Sequence, residues 1–244
     1  MTKETSRRQA FWTGVRDALP FTIVVIPFAI LFGVVGTEAG LNLAQVMGFS
    51  IVVIAGASQF AALQLMSENA PTLVVVASAL AVNLRMAMYS AALAPHLGPA
   101  SLRDRALAAY VTVDQSYALS IQHYEDTPRL STGAKVGYFL GTCLPIVPLW
   151  YAATLVGALA GTAIPASWGL DFVVPLTFLA IIAPALRTLA HVGAALAAIS
   201  AALLLAWMPW NLGLLCAGLT GMVVGAEIER RTTPKGAPPR RAAS

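Results

Sequence analysis

Long apolar stretches alternate with short polar segments along most of this chain. Eight apolar runs can be distinguished, at about residues 19–36, 46–66, 71–93, 106–121, 136–160, 172–186, 192–207 and 212–226. Several are shorter than the roughly 20 residues that a helix needs to cross a bilayer. Backbone groups in lipid must bond within their own segment, so the pattern predicts helices. We therefore expect an all-α protein with about seven or eight transmembrane segments, the short ones being tilted, broken or re-entrant.

Prolines interrupt three of the runs, which carry Pro20 and Pro27, Pro145 and Pro148, and Pro175 and Pro184. Proline removes a backbone donor, and membrane helices tolerate it where neighbouring segments satisfy the freed carbonyl group. Several segments are therefore predicted to be short or proline-broken. The stretch "AGASQF" in the second run combines glycine, small residues and a polar amide. It predicts a helix that is interrupted or tightly packed.

The amino-acid composition indicates that these apolar runs belong to a membrane protein. Of the 244 residues, 58% are hydrophobic and only 11% are charged, and the mean hydropathy is +0.74. A typical soluble domain has about 25% charged residues. A chain of this length cannot hide so much apolar surface in one soluble core, so the surplus must face lipid. This excludes a soluble globular protein and makes the lipid bilayer the first expected partner.

Basic residues are concentrated at both ends. Nine of the 15 lysines and arginines lie there: Lys3, Arg7, Arg8, Arg16, Arg230, Arg231, Lys235, Arg240 and Arg241. The positive-inside rule places both termini in the cytoplasm and predicts an even number of crossings. We expect a cytoplasmic tail over 1–17, a single transmembrane domain over 18–227 and a disordered basic cytoplasmic tail over 228–244. Basic tails also suit nucleic acid, but the last one is short and lacks aromatic residues, so no such partner is expected.

A polar segment, "QHYEDTPRLSTGAK", divides the chain into possible halves over 18–122 and 133–227. A shift of about 124 residues lays "FGVVGTEAG" over "VGALAGTAI". Membrane transporters often contain such internal repeats. Apolar segments also resemble one another by chance, so the sequence leaves both interpretations open.

Glycines recur at four-residue spacing, at Gly133, Gly137 and Gly141, at Gly157 and Gly161, and at Gly221 and Gly225. This spacing allows two membrane helices to approach closely. We expect close packing along the first of these ladders. The sequence does not say whether the neighbouring helix belongs to the same chain or to a partner.

Only two charged residues, Arg85 and Asp114, lie well inside apolar runs. Each costs roughly 2.5–3.5 kcal/mol at the centre of a membrane helix, and such residues usually face the bundle interior and pair. We predict that they pair with each other, with Gln115 beside them. The pair could simply fix the register of two helices. Alternatively, Asp114 could change its protonation during a transport cycle.

Uncharged polar residues supply a candidate substrate site. Gly56, Ser58 and Gln59 lie together in the second run, Asn83 lies in the third, and Asn211 precedes the last. Backbone groups exposed at a broken helix can bind the carboxylate or ammonium group of an amino acid. The alternative is structural: Ser58 would bond back to a carbonyl group, and Gln59 would hold two helices together.

Nothing in the sequence indicates a cofactor, a metal site or a catalytic residue. Cys143 and Cys216 lie inside apolar runs without a metal-binding spacing and are expected to act as small hydrophobic residues. Ser58 has no histidine deep in a run to activate it, and Asp114 has no second deep acid. These absences weigh against an intramembrane enzyme, which remains one alternative function.

Four blocks of the chain together resemble a known family. "AGASQFAALQLM", "AVNLRMAMYSAALAPHL", "YVTVDQSYAL" and "WGLDFVVPLTFLAIIAP" are similar, in this order, to blocks of the AzlC family. The resemblance covers roughly residues 14–227. It implies the large subunit of a bacterial branched-chain amino acid exporter in the cytoplasmic (inner) membrane. It further implies a small AzlD-type membrane partner and export of leucine, isoleucine, valine and perhaps methionine, driven by protons; a homo-oligomer of that heterodimer is possible.

The chain departs from the family at two positions. Met86 follows "NLR" where relatives often have histidine, and Gln115 follows Asp114 where many have a second acid. If relatives use that second acid, proton coupling here depends on Asp114 alone. The leading expectation is a secondary transporter, not an enzyme. The alternatives are the intramembrane enzyme and an uncoupled channel or scaffold.

Overall fold

The computed structural model describes residues 5–161, 186, 188–208 and 212–232. Every regular element in these ranges is helical, so the predicted all-α membrane fold is confirmed. The chain divides into two compact units, Met1–Ser67 with Val75–Leu170, and Glu68–Val74 with Asp171–Ser244. Each unit is described separately.

The first unit contains nine α-helices of the described chain. They are α1 Arg7–Ala18, α2 Thr22–Glu38, α3 Leu43–Val52, α4 Gly56–Ser67, α5 Thr72–Leu97, α6 Leu102–Val111, α7 Asp114–Asp126, α8 Thr132–Cys143 and α9 Val147–Gly161. The first turn of α5 belongs to the second unit. The second unit contains α10 Leu189–Leu204 and α11 Leu212–Thr232.

Polar side chains mark where several of these helices begin. Ser6 caps α1 and Asn42 caps α3, each in a reciprocal box with a glutamine three residues later. Ser101 and Ser131 cap α6 and α8 by accepting a backbone N–H. Such caps satisfy amide groups that have no partner inside the helix. The polar turns between the apolar runs therefore determine where the helices start.

Among the described residues, three helical segments are long and apolar enough to cross a membrane: Arg7–Glu38, Thr72–Leu97 and Thr132–Gly161. In the first, a 3-10 turn at Leu19–Phe21 joins α1 to α2. The predicted boundary at residue 17 therefore falls inside a continuous helical segment, because α1 already begins at Arg7. The boundary at residue 228 likewise falls inside α11. The cytoplasmic location of either end stays a prediction.

The first and third of these segments pack side by side, with glycines at the contact. Gly137 and Gly141 lie on the backbone of α1 at Arg7 and Phe11, and Gly157 lies on α2 at Ile30. A Cβ at these glycines would lie 2.4, 2.0 and 2.0 Å from the facing carbonyl oxygens. Close packing is thus confirmed at Gly137 and Gly141, and the neighbour belongs to the same chain. The prediction is wrong for Gly133, which has open space beside it.

The paired segments run parallel. Arg7 faces Gly137, 130 positions later, and Ile30 faces Gly157, 127 positions later. These offsets are close to the shift of about 124 residues at which the two halves of the sequence resemble each other. The segments that open the two proposed halves therefore pack against each other in register.

Helices α3 and α4 form a hairpin beside α2. Along α3, Val46 contacts Gly36 and Phe49 contacts Phe32, so α3 runs back along α2. Gly56 then lies near Phe28, and Phe60 packs on both Phe28 and Phe32, so α4 reverses direction. The predicted interruption at "AGASQF" is confirmed, because α3 ends at Val52 and α4 begins at Gly56.

Helices α6 and α7 form a second hairpin, entering from the opposite end. Asp104 near the start of α6 binds Arg7, whereas Val111 at its end meets Cys143. Helix α7 then returns until Tyr124 bonds the backbone of Lys135 near the start of α8.

Two of the eight apolar runs therefore fold as hairpins of two short helices, in line with the short segments expected from the sequence. The number of crossings stays a prediction. Hydropathy alone could not distinguish a helix that crosses from a pair of short helices that turn back.

Within the second unit, α10 and α11 pack antiparallel. Gly221 faces Ala194 and Ala198, whereas Gly225 faces Ala190 and Ala194. The third glycine pair thus also serves close helix packing.

Candidate functional site

The tips of the two hairpins meet. The α3–α4 tip is formed by Val53–Ala55 and the α6–α7 tip by Thr112–Val113. At the end of α6, the Tyr110 hydroxyl donates to the carbonyl oxygen of Ile51 near the end of α3, at 2.9 Å. The same hydroxyl lies 3.0 Å from that of Tyr151 in α9. We call this junction the hairpin contact.

A third helix break lies beside the second tip. Helix α8 ends at Cys143 and α9 begins at Val147, and the Cys143 thiol donates to the carbonyl oxygen of Val111 at 3.4 Å. The last carbonyl groups of a helix have no partner within that helix. Tyr110 and Cys143 supply such partners to α3 and α6, which stabilises three interrupted helices at one level of the unit.

The first tip carries a buried chain of neutral polar groups. The Gln59 amide nitrogen donates to the Ser50 hydroxyl at 3.2 Å, and Ser50 lies 3.5 Å from the Thr154 hydroxyl. All three residues are fully buried. The Ser58 hydroxyl donates to the Ala55 carbonyl oxygen at 2.9 Å. The structural alternatives expected for Ser58 and Gln59 are therefore observed, since Gln59 joins α4 to α3.

Two buried polar atoms at this tip make no hydrogen bond to a described residue. Within the described residues, Gln59 Oε1 and Trp150 Nε1 have no hydrogen-bond partner. Gly56 packs tightly against two aromatic rings, since a Cβ there would lie 2.5 Å from Phe28 and 2.9 Å from Trp150. Buried polar atoms are nearly always bonded, so Gln59 Oε1 and Trp150 Nε1 are candidates to bind a ligand.

The second tip carries the two deep charges. Arg85 in α5 and Asp114, the first residue of α7, form an ion pair with 3.1 Å between Nη1 and Oδ2. The start of α7 also stabilises the carboxylate, because the N-terminal end of a helix carries partial positive charge. The two side chains are 32% and 42% exposed. The pair therefore lies at an open surface of the first unit.

Further polar atoms surround this pair. Tyr89 lies next to Asp114 and stacks on Tyr117, with 4.1 Å between ring centroids. Among the described residues, Asn83 Oδ1, Arg85 Nε and Asp114 Oδ1 have no hydrogen-bond partner. These three atoms are buried, although parts of the Arg85 and Asp114 side chains are exposed.

The structure divides the predicted site residues into two groups. Gly56, Ser58 and Gln59 lie at the first tip, and Arg85 and Asp114 lie at the second. Asn83 is on the same helix as Arg85, and Gln115 follows Asp114 in α7. No hydrogen bond or ion pair links the two groups in the described ranges. Asn211 lies outside the described residues.

Sequence reasoning missed Ser50, Thr154 and Tyr110. Ser50 and Thr154 are polar residues inside apolar runs, so the signal that selected Ser58 would also have selected them. Nothing in the sequence marked Tyr110, which acts through a contact with a residue 59 positions away.

A polar network lies at the end of the unit where α6 begins. Arg7 binds Asp104 at 2.7 Å, Tyr138 donates to Asp17 at 2.8 Å, and Lys135 lies 3.2 Å from His96 Nδ1. Hydrogen bonds from the Arg7 guanidinium lower the pKa of the Asp104 carboxyl. The positive-inside rule predicts that this end faces the cytoplasm.

Comparison with known proteins identifies relatives but no function. A family model described as "AzlC protein" matches residues 20–164, more than half of the chain. The chain is 29% identical to an "Uncharacterized membrane protein" of Archaeoglobus fulgidus, over 88% of this chain and 94% of that protein. It is 23% identical to "Inner membrane protein YgaZ" of Escherichia coli, over 69% and 70% of the two chains. No solved structure matches the chain.

Proposed function

Because the chain belongs to the AzlC family of membrane proteins, we propose that it is a secondary transporter subunit that exports branched-chain amino acids from the cytoplasm. Its substrates are leucine, isoleucine, valine and methionine. Export is driven by protons and requires a small AzlD-type membrane subunit. The family match and the membrane proteins among its relatives support a transporter-type role in a membrane.

The hairpin contact is the observation that carries the proposal. Secondary transporters bind substrate near the middle of the membrane between interrupted helices. The starts of α4 and α7 present backbone N–H groups that suit a carboxylate, and the ends of α3 and α6 present carbonyl groups that suit an ammonium group. An amino acid zwitterion carries both charges and fits such a junction.

Asp114 is the proposed proton carrier. Among the described residues it is the only acid at the second tip, and it is paired with Arg85. Protonation of the carboxyl group removes the attraction to Arg85 and loosens the contact between α5 and α7. Proton uptake and movement of the second hairpin would thereby be linked at one ion pair.

The exposure of that pair supports a membrane partner. On α5, Leu80, Leu84 and Met88 are 63%, 61% and 70% exposed in the isolated chain, next to the partly exposed Arg85. Apolar side chains can face lipid, whereas a charged pair in lipid is costly. A small membrane subunit that covers α5 and the pair would remove that cost.

An efflux assay in cells tests the proposal. Cells fed leucine-containing dipeptides accumulate leucine, and we expect faster leucine release when the chain is expressed with its AzlD-type subunit. Release should slow with a protonophore and in Asp114→Asn, but not in the control Asp104→Asn, which changes an acid far from the tips. Unchanged leucine release would contradict transport. A rate of leucine release that changes neither with the protonophore nor in Asp114→Asn would indicate an uncoupled channel.

A further inference from the structure

A cavity of about 190 Å³ lies between α5 and α6 and reaches the α6–α7 tip at Thr112. Leu93, Ala94 and Leu97 form its wall on α5, and Ala108 and Ala109 form its wall on α6. The two helices run antiparallel here, so the cavity extends along both. Its lining is mainly apolar and consists of small or branched side chains.

The two ends of the cavity differ in character. Arg105 lines the end near the start of α6, the side on which Asp104 binds Arg7. Thr112 lines the other end, at the α6–α7 tip and two residues before Asp114. The cavity therefore leads from the polar, basic end of the unit towards the charged pair.

Arg105 is the charged residue of this lining. No ion pair involving its guanidinium occurs in the described part of the chain, whereas Asp104, its neighbour in sequence, is already bound to Arg7. A guanidinium group recognises carboxylates with directed hydrogen bonds. The chemistry thus suits a ligand with one carboxylate at the Arg105 end and an uncharged aliphatic part beside the leucines and alanines.

The volume limits the size of that aliphatic part. An apolar cavity of about 150 Å³ admits a hydrocarbon as large as benzene. A cavity of about 190 Å³ therefore accepts a branched side chain of four carbons. Its mouth is open, so the ammonium group of an amino acid can stay hydrated.

We propose that this cavity is the cytoplasmic-side binding site for the exported aliphatic amino acid, with Arg105 holding its carboxylate and the α5–α6 walls holding its side chain. The inference rests on the proposed export function and states where the substrate binds before it reaches the hairpin tips. Leucine would then pass Thr112 to reach the junction beside Asp114.

Matched pairs of variants test this site. Ala109→Phe fills the cavity and Arg105→Gln removes its charge. Their controls are Ala106→Phe and Arg103→Gln, which change exposed residues of the same helix that do not line the cavity. Leucine binding is measured on the purified complex with its small subunit, and leucine efflux is measured in cells. Size-exclusion profiles show whether each variant is folded, and Ala109→Leu replaces Ala109→Phe if the larger side chain prevents folding.

We expect the leucine concentration for half-saturation to rise roughly tenfold or more in both cavity variants and to stay unchanged in both controls. Ala109→Phe should weaken leucine binding more than alanine binding. If the wild type exports leucine and the cavity variants bind it normally, this inference is overturned and the export function stands. If the wild type neither binds nor exports leucine, both fail. A lipid acyl chain that occupies the purified protein and that leucine does not displace would also overturn the inference.

Discussion

The two hairpin tips differ in charge and in burial. At the first tip Gln59, Ser50 and Thr154 are neutral, fully buried and bonded to one another. At the second tip Arg85 and Asp114 are charged and paired, and their side chains are 32% and 42% exposed. A buried chain of amide and hydroxyl groups keeps one arrangement over the whole working pH range. An open ion pair can be broken by a proton or by a competing charge. The comparison indicates a fixed first hairpin and a second hairpin that responds to its surroundings.

Asp114→Asn should have the largest effect. It keeps the shape of the side chain but removes the charge that binds Arg85 and the group that we propose binds a proton. We expect proton-linked leucine export to be abolished while the protein stays in the membrane. Efflux with and without a protonophore, together with the amount of protein in membrane fractions, checks this. Normal coupled export by this variant would show that the second tip does not respond to protons.

Arg85→Ala should destabilise the second tip strongly, because it leaves the Asp114 carboxylate without its ion partner. The double variant Arg85→Ala/Asp114→Asn should recover folding better than Arg85→Ala, with a coupling energy of about 0.5–3 kcal/mol for interacting residues. Thermal unfolding of the four proteins of this cycle in detergent measures the coupling. Strictly additive effects would contradict the pairing.

Gly56→Ala tests the rigidity of the first tip. The new methyl group would lie 2.5 Å from Phe28 and 2.9 Å from Trp150, inside a packed aromatic wall. Overpacking of this kind costs about 1–3 kcal/mol. The matched control is Gly48→Ala in α3, where nothing lies within 4 Å of the added carbon. A lower unfolding temperature is expected for the first variant alone; equal behaviour of the two would mean that the first tip is loosely packed.

Gln59→Leu separates the structural role of this amide from its role in binding. It removes the bond to Ser50 and the unpaired Oε1 but keeps most of the volume. We expect a loss of stability of about 1 kcal/mol and, if Oε1 binds substrate, a distinctly weaker affinity for leucine. Unfolding temperature and leucine binding are measured together. An unchanged affinity would restrict Gln59 to holding α3 and α4 together.

The smallest effect is expected at the polar network that contains Arg7 and Asp104. Arg7 lowers the pKa of Asp104 in the folded protein, so this pair adds stability above the ordinary pKa of an aspartate and loses it as the pH falls through the lowered value. The contribution is at most about 1 kcal/mol, because the pair is exposed. Unfolding temperatures of the wild type and Asp104→Asn should differ at pH 6 and approach each other as the pH falls below about 4, the ordinary pKa of an aspartate. A difference in unfolding temperature that persists in acid would contradict the Arg7–Asp104 ion pair as its cause.

Much of the site was predictable from the sequence. Its helix break depends on neighbouring residues, and its two charges stand alone among apolar residues. Arg85 and Asp114 are the two deep charges of the sequence, so their pairing needed no knowledge of the fold. The break before Gly56 followed from a glycine beside a polar amide. Tyr110 escaped prediction because its importance comes from the carbonyl group of Ile51, which only the meeting of two hairpins brings near.

The sequence by itself determined that this is a helical membrane protein, where its helices are interrupted and which charges must find each other. Those properties depend on the cost of placing each residue in lipid, which is a property of the residue and its near neighbours. Only the tertiary structure decided that the second and fourth apolar runs turn back, and that their tips meet. A turn and a crossing expose similar apolar residues to lipid, so the choice between them depends on contacts such as Phe60 with Phe28 and Cys143 with Val111.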